Sequence, residues 1–177
     1  MVRGVLINGN HKKQSRLSGV HQYILDYFMK AQVHVQSIFV HDLPAEDLIK
    51  ANFSSEEVKH ANLLVADANF IIILTPIYKA SFSGILKTYL DLLPQKILVG
   101  KKVIPVAVGG SLAHLLALEY TLKPVLSVLG ATEVFNSVYI VDKQIERLED
   151  GSYRIEEEAL TRLTNELQVV LSSRAFV

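Results

Sequence analysis

Phe70-Ile71-Ile72-Ile73-Leu74 is apolar at every position, so neither side of an alternating strand is left polar, and a strand of that kind needs helices over both faces of its sheet. The run therefore predicts the central strand of a parallel sheet. Just before it, Ser54-Ser55-Glu56-Glu57 fits a capping box, with the serine hydroxyl taking an orphan amide and the glutamate reaching back, and Val58, Ala61 and Val65 give the following helix a buried stripe. Just after it, Ile85, Leu86, Tyr89, Leu90 and Leu93 recur at helical spacing, and residues 103–108 form another apolar strand ending at Gly109-Gly110.

The same alternation extends to both ends. Residues 2–7 are a short apolar run that stops at the turn formers Asn8-Gly9-Asn10, and Leu17, Val20, Ile24 and Phe28 follow at helical spacing. Residues 33–40 carry His34 and Gln36 and predict an edge strand. Residues 112–129 have a helical pattern and 132–141 predict a fifth strand. Leu160, Leu163, Leu167, Val170 and Leu171 mark a closing amphipathic helix. Five strands alternating with helices imply a parallel sheet with right-handed crossovers. With no repeat or linker to divide it, the whole chain 1–177 reads as one α/β domain, a doubly wound five-stranded sheet of flavodoxin-like order 2-1-3-4-5.

Composition narrows the function. Of 177 residues 50% are hydrophobic, which at this length gives ample core: roughly 70% of the unfolded surface is buried. Eighteen basic residues balance eighteen acidic ones, which argues against nucleic acid, whose binders need a basic face. The lack of cysteine removes thiolate catalysis, disulfides and Cys-type metal sites, and no pair among the six histidines has i, i+3 or i, i+4 spacing, so no metal is expected. The start has no signal-peptide pattern, and the most apolar stretch, 103–118, is broken by Pro105, Gly109-Gly110-Ser111 and His114. A cytoplasmic protein without a membrane segment is expected.

In a doubly wound sheet, ligands bind beyond the carboxyl ends of the strands, which brings together loops 8–15, 75–83 and 109–114. The first loop leads into a helix N-terminus, where free amides favour a phosphate, and Asn10, Lys12, Ser15 and Arg16 are candidate donors. The same residues also describe a polar turn with Ser15 as helix cap. Neither a triphosphate-binding P-loop nor a dinucleotide G-x-G-x-x-G is present, so a monophosphate is favoured. The second loop joins a rigid Pro76 to Ile77, Tyr78 and Lys79, where backbone groups and an aromatic suit a planar ring. A turn capped by Ser83 with Tyr78 half buried is the other reading. In the third loop, Gly109-Gly110-Ser111 lets backbone approach a flat ligand, or simply makes a tight turn, and His114 lies close by. Pro124 leaves the carbonyl of Tyr120 without its helical donor, so the helix 112–129 should be irregular there, by a kink or a π-bulge.

The segment Thr75-Pro76-Ile77-Tyr78-Lys79-Ala80-Ser81-Phe82-Ser83-Gly84-Ile85-Leu86-Lys87 and its continuation Thr88-Tyr89-Leu90-Asp91-Leu92-Leu93-Pro94 resembles the T-P-x-Y-K-x-x-x-S-G-x-L-K-x-x-L-D-x-L-P block of the NADPH-dependent FMN reductases, most closely the alkanesulfonate-assimilation type. Val108-Gly109-Gly110-Ser111-Leu112-Ala113-His114 and Tyr120-Thr121-Leu122-Lys123-Pro124 resemble a second block. The resemblance implies a hydride transfer from NADPH to FMN, with reduced FMN leaving for a flavin-dependent monooxygenase, and a homodimer or homotetramer. It implies that Pro76, Ile77, Tyr78 and Lys79 contact the isoalloxazine or ribityl part, that Gly109, Gly110 and Ser111 border the ring, and that Tyr120 is the inserted tyrosine of a π-helix near flavin and subunit interface. Against the family's phosphate loop G-S-P-R-x-x-S-R-S, Gly9, Ser15 and Arg16 match while Asn10, His11, Lys12 and Leu17 depart. Because the flavin carries the chemistry, no catalytic acid or base is nominated. The alternatives are an FMN-retaining quinone or azo reductase, and a flavodoxin-like electron carrier.

Overall fold

The structure is a computed structural model that describes residues 2–172. Its strands β1 (Arg3–Asn8), β2 (His34–Phe39), β3 (Phe70–Tyr78) and β5 (Lys102–Gly109) lie side by side in the order β2-β1-β3-β5, all parallel. The fifth position is shared by β6 (Glu133–Val134) and β7 (Val138–Val141), both parallel to β5. The expected single strand 132–141 is thus split at 135–137. The short β4 (Ser81–Phe82) folds back antiparallel on β3, a hairpin that sequence periodicity did not show. Its two-residue turn places Lys79 at φ 50° and Ala80 at φ 61°, the left-handed geometry of a tight hairpin made here without glycine.

The apolar run works as its two-faced pattern requires. Ile71 and Ile73 pack with Val5, Ile7, Val103 and Ala107 on one face, beneath α3 (Glu56–Asp67) and α4 (Gly84–Leu90). Phe70, Ile72 and Leu74 pack with Leu6, Ile104 and Val106 on the other, beneath α1 (Arg16–Lys30) and α6 (Glu157–Ser172). All five residues of the run are fully buried, each contributing about 1.5–3 kcal/mol by transfer from water. Truncating Ile72 to alanine would cost about 2–5 kcal/mol.

Other elements depart from expectation locally. α3 begins where the serines predict, yet Ser55 is the N-cap and its hydroxyl donates to Glu57 at 3.2 Å instead of capping an amide, so the reciprocal box is not made. A short helix, α2 (Ala45–Ile49), precedes α3. The segment 112–129 is three pieces: a 3-10 turn Leu112–His114, a π-helix Leu118–Leu122, and α5 (Lys123–Val128) carrying Pro124 in its first turn. The π-helix spans Tyr120, the position where Pro124 removes a donor. Before α6 the chain adds an antiparallel hairpin, β8 (Ile145–Arg147) with β9 (Tyr153–Ile155). Among the described residues no helix is long and apolar enough to cross a membrane.

Candidate functional site

The carboxyl ends of β1, β3 and β5 bring the three loops together around a cleft of about 310 Å³. Loop one supplies Asn10, Lys12, Ser15 and Arg16 to its wall, loop two Pro76, Ile77 and Tyr78, and loop three Gly109 and Gly110. Three nominated residues stand off the wall. Lys79 sits at the exposed hairpin tip. Ser111 turns its hydroxyl to the Ala113 amide (3.1 Å), while its carbonyl accepts from the Tyr139 hydroxyl (2.8 Å). Tyr120 is 76% exposed on the π-helix, beyond the exposed Leu112, Leu115 and Leu116. His114 is half buried and does not line the cleft. The cleft also includes Gln14, Leu17, Val108 and Asp142, none of them nominated as site residues. Asp142 follows the end of β7, and extending the strand-end rule to the fifth strand would have found it.

The first loop is held from within. Asn10 is only 4% exposed. Its amide nitrogen donates to the Lys12 carbonyl (2.6 Å) and the Ser15 hydroxyl (2.7 Å), and its amide oxygen accepts from the His11 backbone (3.0 Å). The Asn10 side chain therefore shapes the loop and has no free donor to aim at a ligand. The Ser15 backbone amide donates to the Ser18 hydroxyl (3.1 Å) at the start of α1, whose first turn contains no acidic residue. Lys12 is exposed. Arg16 anchors its Nε on the Ile145 carbonyl (3.0 Å).

Loops one and two are tied by Ser83, the cap residue of α4. Its hydroxyl donates to the Gly9 carbonyl (2.6 Å) and accepts from the Leu86 amide (3.3 Å), while its own amide donates to the Thr75 hydroxyl (3.0 Å). Tyr78 is half exposed, its ring centroid 5.5 Å from that of His11. Loop three contrasts its two glycines. A Cβ on Gly109 would lie 2.1 Å from the Tyr139 hydroxyl, whereas a Cβ on Gly110 would meet nothing within 4 Å. Burial raises the Tyr139 hydroxyl above the usual phenol range.

Two cations and an acid-free helix start come to the cleft from its first loop, which suits a phosphate, while Asp142 adds one negative charge to the wall. The open backbone of Gly110 and the Pro76–Tyr78 segment offer room and apolar surface for a flat ring. A ligand with an anionic head and a planar aromatic body, such as FMN, fits that arrangement.

Comparison with known proteins agrees. The profile of the family described as NADPH-dependent FMN reductase matches residues 2–146. The chain is 46% identical over 141 residues to an FMN reductase (NADPH) of Pseudomonas putida, covering 80% of this chain and 72% of that protein. It is 40% identical over 144 residues to an FMN reductase (NADPH) of Escherichia coli, covering 81% and 75%. Among solved structures, the apo form of an NADH:FMN oxidoreductase superposes with a TM-score of 0.85 at 34% identity, over 99% of this chain and 92% of that one. With these matches, the chain belongs to the NADPH-dependent FMN reductase family, oxidoreductases that work with FMN and NADPH.

Proposed function

We propose that the protein uses NADPH to reduce FMN in this cleft and passes the reduced flavin to a flavin-dependent monooxygenase, of the kind that acts on alkanesulfonates. The observation that carries the reading is the lining of the cleft, which joins Lys12 and Arg16 at a helix start to the bare Gly110 backbone and Pro76–Tyr78. FMN, when bound, supplies the chemistry by accepting the hydride that NADPH carries. The protein's residues bind and orient. Lys12, Arg16 and the first amides of α1 take the phosphate, and Ser15 holds the loop through Asn10. Pro76, Ile77 and Tyr78 face the ring on one side, Gly109 and Gly110 border it on another, and Lys79 and Ser111 support these walls from just outside. Stacking two planar rings at near-attack distance is an orientation task, so the cleft needs no acid or base.

Distant relatives named NADH-dependent FMN reductase SfnF and SfnE, both of Pseudomonas putida, share 26% and 34% identity with the chain and support the flavin-supplying role. Tyr120 and the exposed Leu112, Leu115 and Leu116 form an apolar stripe beside loop three that suits a homodimer or homotetramer contact. In that assembly Tyr120 gates flavin exchange. Light scattering showing a monomer at micromolar concentration removes the assembly.

The deciding experiment measures NADPH oxidation by flavin-free protein as FMN is titrated, with NADH and riboflavin as comparisons. Saturable turnover with reduced flavin released into solution is expected. Retained flavin with ping-pong kinetics toward quinones or azo dyes would replace this reading with a fixed-cofactor reductase, and FMN binding without NADPH oxidation would leave an electron carrier.

A further inference from the structure

Two histidines outside the cleft bear on Asn10, His21 by way of Asn8 and His41 directly. Asn8, at the end of β1 and 2% exposed, accepts the Asn10 backbone amide on its Oδ1 (3.0 Å). A backbone amide only donates, so this bond fixes which way the Asn8 side chain is turned. Its Nδ2 is then the atom 3.0 Å from His21 Nδ1, and Nδ1 must accept. Burial pushes His21 down to about 4, so the ring is neutral at pH 7 and its proton sits on Nε2, where it donates to the Ser37 hydroxyl of β2 (3.0 Å).

The other peptide group of Asn10 is held in the opposite sense. His41 Nδ1 lies 3.0 Å from the Asn10 carbonyl. A carbonyl only accepts, so His41 carries a proton on Nδ1. Its Nε2 is buried, without a hydrogen-bond partner among the described residues, and 3.6 Å from Asp42 Oδ1. Phe39 spaces the two rings: it stacks on His21 at 4.6 Å between centroids and contacts His41 at 5.6 Å. The amide of Asn10 is thus held by Asn8, which the bare Nδ1 of His21 braces, and its carbonyl directly by the protonated Nδ1 of His41. The Asn10 side chain in turn holds Lys12 and Ser15.

We propose that His21 and His41 are positioning residues for the flavin phosphate, His21 bracing the Asn8 side chain that holds the Asn10 amide and His41 holding the Asn10 carbonyl, so that the first loop discriminates FMN from riboflavin. The inference rests on the phosphate lying in that loop. Neither histidine lines the cleft, and the bonds through Asn8 and to Asn10 link them to it. The inference also assigns a use to the loop's departure at Asn10, whose backbone and side chain serve as the junction between the two histidines and the phosphate end.

The test pairs binding with spectroscopy. In protein carrying 15N-labelled histidine, two-bond 15N–1H spectra should show His21 protonated on Nε2 alone and His41 protonated on Nδ1; His21 protonated on Nδ1, or His41 bare there, overturns the inference without any substitution. Titrations with FMN and with riboflavin follow. His21→Leu and His41→Leu should each raise the FMN Kd about tenfold, as for losing one buried hydrogen bond, and leave that of riboflavin within about twofold. Asparagine places an acceptor or donor where Nδ1 stood, so His21→Asn and His41→Asn should restore FMN binding. Equal weakening of both flavins, unchanged FMN affinity in the leucine variants, or failure of rescue overturns the inference and leaves the phosphate reading standing. Native protein that binds FMN and riboflavin equally overturns both.

Discussion

Replacing Ser83 by alanine removes a single oxygen from a fully buried side chain, and the loss can be worked from its contacts. The Gly9 carbonyl loses a 2.6 Å donor and the Leu86 amide loses its cap acceptor at 3.3 Å, while the bond from the residue 83 amide to the Thr75 hydroxyl survives. Two buried backbone groups left without partners cost about 1–2 kcal/mol each, and an N-cap deletion alone costs about 1 kcal/mol, so a total near 3 kcal/mol is expected. For a chain of this length that lowers Tm by about 6–12 °C. Scanning calorimetry of the flavin-free protein reads the stability. An FMN titration reads the second consequence, because the orphaned Gly9 carbonyl lies at the root of the first loop and FMN affinity should fall with it. A Tm within about 2 °C of the parent would refute the claim that Ser83 ties the two loops together.

Gly109→Ala should destabilise the fold by several degrees, since its Cβ would lie 2.1 Å from the Tyr139 hydroxyl. Gly110→Ala should leave Tm unchanged and weaken FMN and riboflavin alike; calorimetry and flavin titrations check both. Asp142→Asn removes a negative charge from the cleft shared by Lys12 and Arg16, so FMN should bind about two- to fivefold tighter at low salt, with the gain shrinking as salt is added and riboflavin unaffected. His21 is depressed to about 4 in the folded state against 6.5 when unfolded, so between these values the unfolded chain binds the extra proton. Stability is then complete above pH 6.5 and declines by about 3 kcal/mol as pH falls to 4. Urea midpoints measured across that range should show this decline in the parent and lose most of it in His21→Asn.

The fold was legible because burial on two faces leaves a mark that no polar-faced strand can imitate. Phe70–Leu74 and the alternation of Ile71 and Ile73 against Ile72 and Leu74 put both cores in place. The three loops were legible for a topological reason, since strand ends in a parallel sheet must share a rim. Sequence was silent where partners lie far apart along the chain. Ser83 reads as a helix cap, and only space shows its second bond to Gly9, 74 residues away. Asp142 was missed because the strand-end rule was applied to the first, third and fourth strands and not to the fifth, whose end at Val141 it follows. Asn10 was nominated as a ligand donor on residue type, yet its donors are spent on Lys12 and Ser15.

The divided fifth strand has a bearing on how copies of this chain meet in crowded solution. A sheet in which every inner strand is paired still presents two rims of backbone, and a long flat rim is a template for aggregation. Here one rim is β2, which interleaves His34 and Gln36 with its apolar residues, and the other is cut into pieces of two and four residues by Phe135-Asn136-Ser137. The second therefore offers no long unbroken ladder to a neighbour. The interruption thereby protects a sheet whose interior is among the most aggregation-prone sequence in the chain.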